Sequence, residues 1–327
     1  MERNDLREIE IESKTGKISL PKIIFGSVQF GTGIDINMSF SLMDVYTDMG
    51  GTCIDTASIY GDWNDMGEPI SEQVIGKWLK QSRYRGKMKI ITKGAHHKLK
   101  TPNISRVSAV CIADDIEKSL RSLQVDAIDV YFLHRDNVNV PVSEIMSVLH
   151  KYVTAGYLRA LGASNWSMER ILAANAYARH NNLTPFSVSE IQWSLAHITP
   201  EYNEFEDLPH MTGTEYEKYL TAGIPVLAWS SQASGIISRI VKNGQDNINE
   251  YIRKKYCNDI TMHRIENVKA VCKQTGISPT QASLGYITCN PLPAAAVIGT
   301  SNVEHLKDSM TAANLNLSAE FIEQLIK

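Results

Sequence analysis

Eight short apolar runs alternating with segments of helical period predict a (β/α)8 barrel, the TIM-barrel class, for this 327-residue chain. The runs are near-continuously apolar and rich in β-branched residues, as parallel strands buried on both faces must be. Parallel neighbours need long crossover segments, and the gaps between the runs supply them. At ~150 residues per domain the length suggests two domains. A barrel of this size forms one, so residues 1–327 are read as a single domain.

The first element is a β-hairpin over residues 7–20, alternating as REIEIES and GKISL around Lys14, Thr15 and Gly16. It would close the bottom of the barrel. KIIFG (22–26) and TCID (52–55) are the first two barrel strands. A helix over 71–82 takes Ser71 as its N-cap and sets Val74, Ile75, Trp78 and Leu79 on one face. KIITK (89–93) follows, then a helix over 109–123 with Val110, Ile112, Ile116, Leu120 and Leu123 at i, i+3/i+4 spacing. IDVYFLH (128–134), LRALGAS (158–164), SVSEIQW (187–193) and IPVLAWS (224–230) continue the strands, with helices over 144–154, 168–180 and 214–221 between them. Residues 230–262 read as a long polar loop, a length typical of functional or mobile segments. A helix over 264–275, and another opened by Ser278 and Pro279, lead to the last strand, AAAVIGT (294–300), and a helix over 303–313.

An open doubly wound sheet is the competing architecture, and a nucleotide-binding one would open with G-x-G-x-x-G. Gly31 and Gly33 begin such a motif, but Ile36 stands at its third position, and neither a Walker A nor an H-E-x-x-H sequence occurs.

The chain has 33 Lys+Arg against 36 Asp+Glu and is 43% hydrophobic, which excludes a mostly disordered protein. A net charge of −3 without a basic block makes nucleic acid and anionic membrane unexpected partners. No apolar run approaches the ~18–20 residues that span a bilayer. The charged N-terminus, MERNDLREIEIESKTGK, lacks the apolar segment of a signal peptide. Cys53, Cys111, Cys257, Cys272 and Cys289 are scattered and never form C-x-x-C. They read as small buried hydrophobes in a reducing compartment, which points to the cytoplasm, with no disulfide framework or metal site.

Chemistry in a barrel gathers at the C-terminal ends of the strands. Asp55, Lys93 and His134 end the second, third and fourth strands, and Tyr60 follows Asp55 in IDTASIYG. A phenol with a pKa near 10 is a poor acid at neutral pH. An adjacent ammonium stabilises the phenolate and lowers that pKa, a carboxylate holds the ammonium, and a histidine can orient a carbonyl oxygen. Such a site protonates an oxygen on which charge is developing. A hydrolytic barrel would instead present two opposed carboxylates, and only Asp55 is found in this set.

These motifs, in order, resemble the aldo-keto reductases. The resemblance is carried by IDTASIYG (54–61), IITKG (90–94), SLRSLQVDAIDVYFLH (119–134), GASNW (162–166), IQW (191–193), AWSSQASG (228–235) and VIGTSNVEHL (297–306), and it covers about residues 20–325. It implies reversible reduction of an aldehyde or ketone to an alcohol with NADP(H), ahead of NAD(H), and no metal. Position by position, Tyr60 is the implied general acid, Asp55 and Lys93 tune it, and His134 orients the substrate carbonyl. Ser164, Asn165 and Gln192 are implied to hydrogen-bond the nicotinamide amide, and Trp229 to stack on its ring. Gly26, Ser27, Val28 and Asp55 are implied to line the cofactor site. The segment Ser230, Ser231, Gln232, Ala233, Gly235 and Arg239 is implied to fold over the pyrophosphate. Gly299, Thr300, Ser301, Asn302, His305 and Ser309 are implied to hold the adenosine end. Phosphate sites in barrels do lie after strands seven and eight.

The chain departs from the family where S-P-L becomes Ser230-Ser231-Gln232, which implies a different loop over the pyrophosphate. It also lacks K-S-x-x-x-x-R at the 2′-phosphate. Thr300-Ser301-Asn302 stands there with His305, a closing E-N is replaced by Asp308-Ser309, and Arg239 is the nearest candidate cation. Trp63, Arg135 and Trp166, with Asp136, His96 and His97, would surround a polar substrate mouth with an aromatic wall, suited to a hydroxylated or sugar-like carbonyl. A cofactor-binding regulatory subunit with negligible turnover is the alternative the same fold allows.

Overall fold

A computed structural model describes residues 7–64, 70–203, 208–246 and 248–327. The hairpin forms as expected: β1 (Glu8–Ser13) and β2 (Gly16–Pro21) pair antiparallel, Glu8 opposite Pro21 and Ser13 opposite Gly16. All eight expected barrel strands form. They are β3 (Ile23–Gly26), β4 (Cys53–Asp55), β5 (Lys89–Gly94), β6 (Ile128–Leu133), β7 (Leu158–Ser164), β8 (Phe186–Gln192), β9 (Val226–Trp229) and β10 (Ala294–Ile298). They close in the order β10-β3-β4-β5-β6-β7-β8-β9, every pair parallel.

Alternation along the strands divides the interior into layers. Ile24, Cys53, Ile91, Val130, Ala160, Val188, Leu227 and Ala295, one from each strand, meet Ile9, Ile11 and Leu20 of the hairpin. The hairpin therefore plugs the bottom with hydrocarbon, and the polar inward positions lie one or two pleats above. Gly162 is needed here: a Cβ on it would lie 2.3 Å from the Phe132 ring that fills the middle of the barrel.

The helices differ from expectation in several places. A helix between the first two barrel strands was not expected, yet α1 spans Ile36–Asp48, capped by Asp35, which accepts from the Met38 N–H (3.0 Å). Its buried face mixes Leu42, Met43 and Tyr46 with Ser39 and Thr47, which blurs the apolar stripe. The next helix, α2 (Ile70–Gln81), starts before Ser71, so Ser71 is not its N-cap. Its hydroxyl is buried and joins the Ser27 carbonyl (2.9 Å) to Thr56 Oγ1 (2.9 Å). In α3 (Ala109–Leu123) Val110 is 79% exposed, because residues two apart, as Val110 and Ile112 are, do not share a face.

The remaining crossovers are α4 (Val142–Thr154), α5 (Met168–His180) and α6 (Gly213–Ala222). The stretch expected as a loop after β9 holds α7 (Ile236–Asn243) and α8 (Glu250–Tyr256), and α9 (Asp259–Thr275) begins before the expected 264. Ile236, Ile237 and Ile240 pack with Tyr256, Ile265, Val268 and Val271 in a second core outside the barrel. Its polarity is that of the outward faces. The capping box at Ser278 and Gln281 opens α10 (Pro279–Thr288), as expected. The chain closes with α11 (Val303–Met310) and α12 (Ala319–Ile326), the latter also unforeseen. Of the five cysteines only Cys53 is fully buried, and all five are free thiols.

Candidate active site

The inward positions one or two pleats above the plug are Asp55 on β4, Lys93 on β5, His134 after β6, and Glu190 and Gln192 on β8. Lys93 is fully buried. Its Nζ lies 2.6 Å from Asp55 Oδ1, 3.0 Å from the Thr56 carbonyl, 3.4 Å from the Tyr60 hydroxyl and 3.3 Å from Glu190 Oε1. Tyr60 sits in the turn after β4, where its carbonyl accepts from the Ser71 N–H (3.2 Å). Gly61 completes that turn at φ 102°, and a Cβ there would lie 2.6 Å from Ile70. Only glycine lets α2 seat behind the tyrosine. The His134 ring stands edge-on to Tyr60 at 6.0 Å between centroids. The four residues expected to cluster are thus together.

Glu190 was not foreseen. It is 2% exposed, and among the described residues no N–H or O–H group donates to its Oε2 or to Asp55 Oδ2. The available signal was a charge in the apolar run SVSEIQW, in phase with Gln192.

Burial would lower the Lys93 pKa, but Asp55, Glu190 and Tyr60 more than offset it and hold the ammonium charged. Burial raises both carboxyls against the pull of Lys93, and the second negative charge raises Glu190 further, to about 8. One cation between two acids leaves one proton to be held there. Tyr60 corrects an expectation: burial pushes its phenol up to about 12, and Lys93 only partly counters that. His134 is held neutral chiefly by burial, with His96 and the Arg135 guanidinium opposing a further positive charge beside them.

The residues expected to hold a cofactor stand at the ends of β3, β7, β8, β9 and β10 and in the segments that follow them. Ser164 and Asn165 are buried at the end of β7, Asn165 in the left-handed region at φ 61°. Asn165 accepts from Trp229 Nε1 (3.0 Å) and donates to Ser164 Oγ (3.0 Å), so it fixes the indole. Ser27 donates to the Asp55 carbonyl (2.8 Å) beside Gly26, while Val28 is exposed. After β9 the chain is left-handed at Ser230, Ala233, Ser234 and Gly235 (φ 52°, 46°, 58° and 72°). Ser231 donates to the Val297 carbonyl (2.7 Å) and Gln232 to Ser309 (3.2 Å), which ties this turn to the C-terminal rim. Gly235 caps α7 without a side-chain hydrogen bond, and Arg239 on that helix is exposed. At the other end Asn302 caps α11 through the Glu304 and His305 N–H groups (2.8 and 3.1 Å). Thr300 accepts from the Asn302 N–H (3.1 Å), leaving exposed Ser301 and His305 beside Gly299.

Around the mouth, Trp63 is 44% exposed, and the residues that follow, 65–69, lie outside the described ones. Asp136 pairs with Arg170 (3.1 Å) and not with Arg135, whose guanidinium donates to the His134 carbonyl (2.9 Å). His96 lies edge-on to His134 and tilted against His97, with centroids at 4.7 and 4.2 Å. Among the described residues no three His, Cys, Asp or Glu side chains are grouped to hold a metal. Trp166 corrects another expectation. It is 1% exposed, packed edge-on against Phe186 (5.3 Å) beneath Arg170, and presents no surface to a substrate. Its place on the outward pleat after Asn165 turns it into the barrel–helix layer.

The sequence model of the aldo/keto reductase family matches residues 22–327. The chain belongs to that family. An uncharacterized oxidoreductase of Bacillus subtilis, YrpG, is 27% identical over 95% of this chain and 93% of its own length. The norsolorinic acid reductase of Aspergillus flavus is 27% identical over 96% of this chain and 79% of its own. A probable voltage-gated potassium channel subunit beta of rice, Oryza sativa, is 23% identical over 88% and 85%. Membership with such relatives supports an oxidoreductase acting on carbonyl or alcohol groups. No helix among the described residues is long and apolar enough to cross a membrane.

Proposed function

We propose that this protein is an NADP(H)-dependent reductase of aldehydes or ketones, with Tyr60 as the proton donor. The observation that carries the reading is the Lys93 ammonium set between Asp55 (2.6 Å) and Tyr60 (3.4 Å). A phenol raised to about 12 keeps its proton at neutral pH. It surrenders that proton only to a strong base, such as an alkoxide developing from a carbonyl, which is far more basic than a phenolate. Lys93 stabilises the phenolate left behind, and Asp55 fixes Lys93. His134, held neutral, can donate a ring N–H to the substrate oxygen and orient it. When bound, the nicotinamide supplies the hydride.

The rim suits a dinucleotide. Trp229 is braced by Asn165 as a flat wall beside Ser164 and Gln192. The left-handed turn from Ser230 to Gly235 delivers the N-terminus of α7, which has no side-chain cap and whose dipole favours a pyrophosphate. Arg239 is the exposed cation proposed for the 2′-phosphate, with exposed His305 as a further hydrogen-bonding group, and this preference over NAD(H) is part of the proposal. With Trp166 in the core, the aromatic wall reduces to Trp63 and Trp229. Arg135 and the histidines keep the mouth polar, in favour of a hydroxylated or sugar-like carbonyl. The single-domain reading over 1–327 and the cytoplasmic location, supported by five free thiols, belong to the same proposal.

The alternative, a cofactor-binding regulatory subunit, rests on the likeness to the rice protein. One experiment separates the two. NADPH consumption with a panel of aldehydes is measured for the protein and for Tyr60→Phe, and cofactor binding is followed by Trp229 fluorescence. Turnover that falls at least ~10²-fold in the variant, with NADPH quenching retained and stronger than NADH quenching, is the expected result. Binding without turnover in the native protein would favour the regulatory reading. Equal turnover in both would remove Tyr60 as the acid.

A further inference from the structure

An ammonium has three N–H donors. Asp55 Oδ1 and the Thr56 carbonyl take two from Lys93, at 2.6 and 3.0 Å. The third is contested, since the Tyr60 hydroxyl (3.4 Å) and Glu190 Oε1 (3.3 Å) are nearly equidistant from Nζ. Glu190 does not belong to the mouth. It lies on β8 between Val188 of the apolar plug and Gln192 at the rim, with its carboxyl buried against that of Asp55. The charged or titratable groups around it are Cys53 and Asp55 from β4, Tyr60 from the turn after it and Lys93 from β5. On its other flank β9 presents Leu227 and Trp229, which carry no charge.

We propose that Glu190 is a positioning residue that, through its own protonation, sets how much of the Lys93 ammonium is available to Tyr60. Two buried carboxylates and one ammonium would leave an uncompensated negative charge, so Glu190 and Asp55 hold one proton between them. With that proton in place, the contested N–H turns to Tyr60 and the phenolate is stabilised. When the proton leaves, the Glu190 carboxylate draws the N–H to itself. It also adds a negative charge next to the phenol, and both effects make Tyr60 harder to ionise. Glu190 therefore opposes alcohol oxidation at alkaline pH, where Tyr60 must act as a base, and leaves carbonyl reduction, which needs the neutral phenol, favoured.

This inference rests on the role proposed for Tyr60, and its test includes a reading that needs no turnover. Glu190→Gln keeps the shape and removes the charge. In that variant the alkaline rise of kcat/KM for alcohol oxidation should move to lower pH by about one unit. Tyr60 ionisation, read as the ultraviolet difference against Tyr60→Phe, should move the same way with and without a substrate. An unmoved phenol titration overturns the proposal whether or not the protein turns over. A moved titration without turnover keeps it and refutes only the reductase reading. If the variant does not fold, infrared spectra of Glu72→Gln decide, because that background lacks the other buried carboxyl, on α2, that loses its proton in this range. A buried protonated carboxyl band that is lost between about pH 6 and pH 10 supports the proposal. Its absence at the lower pH overturns it.

Discussion

Thr92 and Lys93 are neighbours on β5, and their side chains leave the strand on opposite faces, each to a fully buried carboxylate. Outside the barrel wall, the Thr92 hydroxyl donates to Glu72 on α2 (2.6 Å). Inside, the Lys93 ammonium donates to Asp55 (2.6 Å). Depth is the same, as Glu72 is 0% and Asp55 1% exposed. The partner differs, and with it the chemistry. A neutral hydroxyl cannot offset desolvation, so burial pushes Glu72 up to about 7 despite the hydrogen bond. At the same depth an ammonium pulls Asp55 back toward the charged form against the effect of burial, and the pair becomes a device for moving a proton on a third group. What turns a buried acid into catalytic machinery is the charge of its neighbour.

Removing that neighbour is the strongest way to break the contrast. Lys93→Met should lower turnover by ~10²-fold or more and leave Asp55 and Glu190 facing each other without a cation. Breaking a buried pair costs about 3–5 kcal/mol, less whatever the carboxyls recover by taking up a proton. Urea unfolding should therefore show a loss that grows with pH, while the alkaline limb of alcohol oxidation moves upward. A variant with native stability and an unaltered pH profile would contradict the assignment.

Outside the wall the sign is opposite to that of an ion-paired acid. The folded pKa of Glu72 lies above its unfolded value, so the folded state binds the extra proton. Its contribution is full below about pH 4.5 and is lost as pH rises through about 7, on the order of 3 kcal/mol in all. Glu72→Gln should remove this slope and stabilise the protein at neutral pH, measured by unfolding between about pH 5 and 8. A slope that persists would place the proton elsewhere.

The smallest effect belongs to the rim, where no buried charge is involved. Asn302→Ala removes the cap of α11, for about 1 kcal/mol of stability and roughly 2 °C in melting temperature. It should weaken NADPH binding modestly with kcat retained, which calorimetry and steady-state kinetics would check.

The eight strands and the hairpin were legible because each is an apolar run of its own period, cut off by polar or glycine-containing segments. Helices with a mixed face were not. α1 buries Ser39 and Thr47 beside Leu42 and Met43, and α7 and α8 lie in a stretch whose outer faces are polar. Asp55, Lys93 and His134 could be picked out because a polar residue ending an apolar strand must face the barrel mouth. Trp166 could not be placed in the same way, since a large aromatic after a strand end can turn inward or outward by one pleat.

Sequence by itself determined the order of the strands, the family, and which titratable residues stand at the strand ends, because these follow from periodicity and residue type. The tertiary structure alone decided how their charges balance. Lys93 meets Glu190 across the barrel from a strand three places away, at 3.3 Å. Desolvation at that depth raises the tyrosine that the lysine was expected to lower. Both outcomes depend on the closure of the barrel, which sets distances and excludes water between residues that are remote along the chain.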